Sequence, residues 1–341
     1  MTQPPDDSLD HLRVFSPEDD DDDLDAVEAE REEKPELEEV IATLSGGDYP
    51  RSTLVGLSDL SVREVVRFGA AWPTIDAAVR RAVVMELNDL AEERFDYLFG
   101  RALMVMLDDE DAAVRQNAIA GLWGHDDTRL ADRLVQLLGG DESEDVRASA
   151  ARGLGWFVEL AELDEIDLAL GERVFDALVT ALEDESESMH VRARALESAS
   201  ARTGSETVKR YIERFYDEDE IGFRATAIFA MGKSYDASFL PTILNETATD
   251  DAEIRFEAAR AAGHIGDNSA LPALADLAND EDAEVRHAAI NAIGEIGGKA
   301  AVRYLARIAE SAPDADQELI EEAMEEASIL SDPLFLDDDP S

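Results

Sequence analysis

One short register returns seven times along the chain, and this restricts the fold more than any other feature of the sequence. Asp76-Ala-Ala-Val79-Arg80, Asp111-Ala-Ala-Val114-Arg115, Val146-Arg147, Val191-Arg192, Phe223-Arg224, Asp251-Ala-Glu-Ile254-Arg255 and Asp282-Ala-Glu-Val285-Arg286 open the same pattern, with the arginines 35, 32, 45, 32, 31 and 31 residues apart. A period of that size is one supersecondary unit, too small to bury its own apolar face and therefore stacked on its neighbours.

Each unit reads as two helices. Four residues before the arginine stand Asp76, Asp111, Ser143, Ser188, Glu220, Asp251 and Asp282, mostly residues whose side-chain oxygen caps a helix N-terminus. Apolar residues follow three and four positions after the arginine, as in Val83 and Val84, Ala118 and Ile119, or Ala289 and Ile290. Glycine stands eight positions after it at Gly155, Gly232, Gly263 and Gly294, which we read as a helix stop. The other helix of each pair is clearest at Phe239-Leu-Pro241 and Leu271-Pro272, where proline suits a first helical turn.

The unit Asp282-Ala-Glu-Val285-Arg286-His-Ala-Ala289-Ile-Asn-Ala292-Ile293-Gly294 resembles the short HEAT-like repeat of the bilin-attaching phycobilisome lyases, a repeat found in many functionally diverse proteins. The resemblance covers about residues 57 to 330. It implies an all-α, armadillo-like fold, a right-handed α-solenoid of about seven to eight helical hairpins with capping units, whose second helices line a concave surface.

On a helical wheel the arginine points into the apolar stripe, because its apolar neighbours fall within about 100° of it. A guanidinium there needs an acceptor. We expect Arg80, Arg115, Arg147, Arg192, Arg224, Arg255 and Arg286 to form a structural ladder, paired with acids of neighbouring repeat turns such as Asp280 and Asp282 or with helix-terminal carbonyls. The opposite face holds the positions one, two and five after each arginine. Of those 21 residues only Glu197 and Glu257 are acidic, where the chain average would give about five. Arg81, Met85, Gln116, Asn117, Arg152, Arg194, Phe229, Phe256, Arg260, His287 and Asn291 lie on that face, and with Trp156 they are the candidate binding surface. The 45-residue interval marks an insertion, with Trp156 to Leu170 lengthening an inter-helix connection.

The chain has 341 residues with 80 Asp plus Glu against 30 Lys plus Arg, a formal charge of −50 and 45% hydrophobic residues. Apolar residues this plentiful and periodic exclude a wholly disordered chain. An acidic, lysine-poor composition resembles that of proteins from extreme halophiles, whose salt screens such self-repulsion. The absence of cysteine removes disulfides, thiol nucleophiles and Cys-ligated metals. No apolar run is long enough for a membrane span, and no signal peptide is visible, so a cytoplasmic protein is expected.

Residues 1–36 are expected to form a disordered acidic tail, 37–75 capping helices, 76–331 the solenoid and 332–341 a second acidic tail. Asp316-Gln-Glu-Leu-Ile320 is a last copy with isoleucine in place of arginine, and Glu321, Glu322, Glu325 and Glu326 give it a polar outer face.

Within the resemblance lie the di-iron deoxyhypusine hydroxylases, which hold metal with His-Glu pairs. Here His11, His125, His190, His264 and His287 are followed by Leu, Asp, Val, Ile and Ala, so no such metal, other cofactor or catalytic residue is assigned. No Walker loop, dinucleotide turn, hydrolase elbow or calcium loop is present. The charge argues against nucleic acid as a partner. The function expected is a non-catalytic scaffold or adaptor, a monomer, holding an unidentified protein or peptide. The alternative is a bilin- or tetrapyrrole-handling lyase-like enzyme or chaperone.

Overall fold

The computed structural model describes residues 34–329, and all regular structure in them is helical. The tail regions 1–33 and 330–341 lie outside the described residues. Two compact units divide the chain, one ending at Ala102 and the other beginning at Leu103.

The first unit holds α1 (Leu37–Gly46), a 3-10 segment (Arg51–Leu57), α2 (Val62–Ala71) and α3 (Ala77–Glu93). A capping box starts α2: the Ser61 side chain accepts the Glu64 N–H, and the Ser61 N–H donates to the Glu64 carboxylate. The rings of Phe68 and Trp72 meet at 5.3 Å, tilted by 45°, in the core of this unit. Arg80 on α3 is buried and donates to the carbonyls of Ile75 (2.8 Å) and Pro73 (3.2 Å). The helix of the first repeat thus groups with the segment read as a cap.

Helix α4 (Gly100–Met106) spans the division. The second unit continues with α5 (Ala112–Gly121), α6 (Thr128–Gly140), α7 (Glu144–Glu162), α8 (Leu168–Glu183), α9 (Met189–Ala199), α10 (Glu206–Tyr216) and α11 (Ile221–Lys233). It ends with α12 (Leu240–Glu246), α13 (Ala252–Ile265), α14 (Leu271–Leu277), α15 (Ala283–Ile296), α16 (Gly298–Ala309) and α17 (Gln317–Ile329). From α5 on, every odd-numbered helix carries one copy of the register. From α7 on, each of these packs on the preceding even-numbered helix to close a hairpin, and from α5 to α15 each packs on the next odd-numbered helix to stack the hairpins. Ile320, standing for arginine in α17, is fully buried, while Glu321, Glu322, Glu325 and Glu326 are exposed.

Asp76, Asp111, Ser188, Asp251 and Asp282 accept backbone N–H groups as N-caps. Ser143 and Glu220 occupy the same position without a side-chain cap bond. Pro241 and Pro272 fall in the first turns of α12 and α14.

Two expectations need correction. Gly155, Gly232, Gly263 and Gly294 do not stop their helices; each lies inside one. They face the next odd-numbered helix so closely that a Cβ on Gly232 would stand 2.8 Å from Ala261 Cβ, and one on Gly263 would stand 2.9 Å from Ala292 Cα. Their role is helix-to-helix approach. The long interval is likewise not a longer loop: α7 has 19 residues and α8 has 16, so the extra residues extend two consecutive helices, the second of one hairpin and the first of the next. Phe157 is buried among them.

Candidate functional site

The repeated arginines pair in a regular way. Arg115 Nε and Nη2 donate to the two carboxylate oxygens of Asp141 at 2.8 and 2.7 Å, and Nη1 donates to the Asp109 carbonyl at 2.8 Å. Arg147 makes the corresponding bonds to Glu187 (2.7 and 2.9 Å) and to the Asp141 carbonyl (2.8 Å). Arg255 reaches Asp280 and the Thr249 carbonyl, and Arg286 reaches Asp316 and the Asp280 carbonyl. Each acceptor side chain belongs to the following hairpin.

Arg224 pairs with buried Glu246, to which the Tyr216 hydroxyl also donates. Arg192 differs: it donates to the Leu182 carbonyl at 3.1 Å, lies over the Phe215 ring and forms no ion pair among the described residues. Asp141, Glu187, Asp280 and Asp316, which meet Arg115, Arg147, Arg255 and Arg286, sit below their ordinary values. For Glu187 the hydrogen bonds from Arg147 are the main cause. For Asp141, burial pushes upward and is outweighed by the bonds from Arg115 and the Ser143 N–H. Asp280 is the expected acceptor, whereas Asp282 spends its carboxylate on the α15 cap.

On the other face of the odd-numbered helices lie three cavities in a row. The first, about 420 Å³, is lined by Gln116, Asn117, Ser149, Trp123 and Arg152. The central one, about 580 Å³, shares Trp123 and Arg152 with the first and adds Arg194, Glu197, Phe229, Lys233, Glu257 and Arg260. The third, about 360 Å³, shares Arg260 with the central one and adds Phe256, His287, Asn291 and Glu295. Because neighbouring cavities share walls, they form one trough across α5 to α15.

Most of the candidate surface is therefore brought together. Arg81 and Met85 lie on α3 in the first unit, both exposed, apart from these cavities. Trp156 lines none of the three: it is half-buried, and its indole N–H is buried with no hydrogen-bond partner among the described residues. The sequence reading missed Trp123, which is 55% exposed, and Lys233, which pairs with Glu159 at 2.6 Å. Trp123 stands eight residues after Arg115, where other copies carry glycine. That substitution of the largest side chain for the smallest was the available signal.

Cations and rings alternate in the central cavity. Arg152 lies over Trp123 at 5.7 Å, and Arg260 lies between Phe229 (5.0 Å) and Phe256 (5.6 Å). Arg194 pairs with Glu197 at 2.5 Å, and Arg260 with Glu257 at 3.2 Å, each three residues apart on one helix. Burial pushes the Glu197 carboxyl up to about 7, against the pull of Arg194 and Arg152; burial also raises Glu257, against the pull of Arg260. His264, edge-on to Phe229 at 6.2 Å, is pushed down to about 4 by burial and by Arg260 and Lys233.

Among the described residues no group of three or more His, Asp or Glu is arranged to hold a metal ion. No described helix is long and apolar enough to cross a membrane.

Residues 100–168 and 240–325 match the family model of HEAT repeats. This is a HEAT-like all-α repeat protein. Curated proteins give no match to its sequence. Among solved structures, the HEAT-like chain is similar to the complex of CpcE and CpcF of phycocyanin lyase from Nostoc sp. PCC7120, with 17% identity over 83% of this chain and 97% of that one and a TM-score of 0.49. It is similar to YibA of E. coli at 18% identity over 74% and 98% of the two chains, TM-score 0.40. It is also similar to human deoxyhypusine hydroxylase at 17% identity over 90% and 99%, TM-score 0.35. Likenesses this distant carry no function with them.

Proposed function

We propose that the protein is a non-catalytic scaffold that holds a protein or peptide along the trough of its odd-numbered helices. The observation that carries this reading is the continuity of the three cavities, joined through Trp123 and Arg152 on one side and Arg260 on the other. With helices packed about 8–10 Å apart, the five steps from α5 to α15 span about 40–50 Å. An extended segment of about 12–15 residues covers that length. Exposed aromatic and arginine side chains are the types that anchor such partners, and a row of repeats supplies them at regular intervals. The proposal includes a monomeric, cytoplasmic protein adapted to high salt, supported by the charge of −50.

A second reading, a bilin- or tetrapyrrole-handling lyase or chaperone, has its own support. The central cavity of about 580 Å³ has the volume of a small-molecule site, and its cations stacked on rings suit a flat, carboxylate-bearing ligand. Affinity capture in multi-molar salt separates the two: a stoichiometric polypeptide favours the scaffold, a coloured chromophore the alternative. Phe229→Asp combined with Arg260→Glu is expected to abolish polypeptide capture without loss of helicity. Retained capture by that folded double variant refutes the trough as the binding surface.

A further inference from the structure

The partner's chemistry is written in the way the central cavity satisfies its own charges. Three of its four cations are held by carboxylates of this chain: Arg194 by Glu197, Arg260 by Glu257 and Lys233 by Glu159. The fourth, Arg152, is exposed, forms no ion pair with any described residue and rests on the face of Trp123. In a chain carrying 80 acidic residues, a cation left without a carboxylate at the mouth of the largest of the three cavities is a notable gap. A guanidinium over an indole face at 5.7 Å still has N–H donors to offer a carboxylate.

The neighbouring pair makes the site exchangeable. Glu197 is mostly buried, its side chain 16% exposed, whereas Arg194 is 40% exposed. The guanidinium thus faces the cavity, and its carboxylate partner stands where a charge is poorly solvated. We propose that the trough takes an acidic segment of its partner by carboxylate exchange, in which a partner Asp or Glu replaces Glu197 on Arg194 and is shared with Arg152. The inference rests on the peptide-binding reading above and names the class of peptide.

Exchange has a proton consequence. Glu197 is surrounded by Arg194 on its own helix, Arg152 from α7, and Glu257 and Arg260 from α13. Glu159 on α7, Lys233 on α11, Glu253 on α13 and His190 on α9 complete the charged or titratable lining. Once Arg194 and Arg152 turn to the partner, Glu197 loses its main counter-charge and keeps burial and Glu257, which favour the neutral acid, against the weaker pull of Arg260. Its value in the free protein, about 7, therefore rises on binding, and the complex holds a proton that the free protein has lost above neutrality. Affinity is flat between about pH 5, above which the partner's carboxylates are ionised, and about pH 7, and falls as pH rises further, by at most about tenfold per unit for one proton.

The probe is a random glutamate–tyrosine copolymer, with a lysine–tyrosine copolymer of equal length as its counterpart. Binding to the full chain is followed by anisotropy in about 1 M NaCl, where the Debye length is about 3 Å and the body's repulsion is screened. The glutamate–tyrosine polymer is expected to bind, with the pH profile given above. Arg152→Gln lowers affinity by about tenfold. Glu197→Gln keeps or tightens binding and flattens the profile, while His190→Asn leaves the profile in place. Circular dichroism shows that each variant is folded. A pH-independent affinity in the native protein, or an Arg152→Gln variant that binds as well as native, overturns the exchange. Binding of the lysine–tyrosine polymer alone overturns the acidic partner and leaves the peptide trough standing. Failure of both polymers overturns the trough as well.

Discussion

Removing one guanidinium of the ladder should loosen the stack locally and by a predictable amount. Arg115 and Asp141 form a closely enclosed pair, with side chains 7% and 5% exposed. Arg115→Ala deletes two bonds to the carboxylate and one to the Asp109 carbonyl. What remains for Asp141 is the Ser143 N–H at 2.9 Å. Three charge-assisted bonds at about 1.5–3 kcal/mol each would sum to about 4.5–9 kcal/mol. Water entering the vacated space recovers part of that, which leaves about 3–5 kcal/mol, the usual cost of orphaning one member of a buried pair. Repeat arrays need not unfold in one step, so the readout is native-state hydrogen exchange of the α5 and α7 amides rather than a single melting curve. Replacing both partners, Arg115→Met with Asp141→Leu, orphans only the Ser143 N–H and the Asp109 carbonyl and should cost about 1–3 kcal/mol. Protection unchanged in Arg115→Ala, or a double variant as unstable as the sum of the singles, refutes the ladder as an energetic link.

Gly232→Ala places a methyl against Ala261 and should cost about 1–3 kcal/mol, read from the urea midpoint, whereas Gly139→Ala, with open space around it, should be neutral or stabilising. Stability should peak in mildly acidic solution. Asp141, Glu187, Asp280 and Asp316 lie below their unfolded values, so their contribution is complete above about pH 4.5 and lost as pH falls further. Glu197, raised to about 7, costs stability as pH climbs from about 4.3 through 7; Glu197→Gln should lessen the decline between pH 5 and 8, and an unaltered slope counts against its burial as a charge. Dialysis from multi-molar to low salt should reduce helicity if the charge of −50 is an adaptation to screening, and an unchanged circular dichroism spectrum argues against it.

The helical pairs were legible because the pattern is local: a cap, an apolar stripe at 3.6-residue spacing and a proline in the first turn each depend on a few neighbours. The Arg255–Asp280 pair was legible for a related reason, since repetition fixes the acceptor about one unit ahead. Glycine was misread because its two uses, ending a helix and letting two helices touch, are the same letter. Gly266, with φ of 73° after α13, is a real terminator, and Gly263 three residues earlier is not. Trp156 and Trp123 were exchanged in the site. Trp156 was placed on the open face and Trp123 was passed over, but α7 continues past Trp156 and half-buries it, while α5 ends at Gly121 and leaves Trp123 55% exposed. Where a helix ends is decided by packing, which one chain's spacing does not contain. The bonds from Lys233 to Glu159 and from Arg147 to Glu187 both have one end on lengthened α7, where the period itself breaks.

Asp141 and Asp280 each serve two masters, the side chain accepting from the arginine behind and the main-chain carbonyl from the arginine ahead. A stretch of gene copied from one such aspartate to the next would arrive with its own donor and a ready acceptor at both seams, so the array can lengthen or shorten by whole modules without retuning its neighbours. A copy cut elsewhere would strand a guanidinium. At Arg192, which meets a main-chain carbonyl and no acid among the described residues, a module boundary would strand no ion pair.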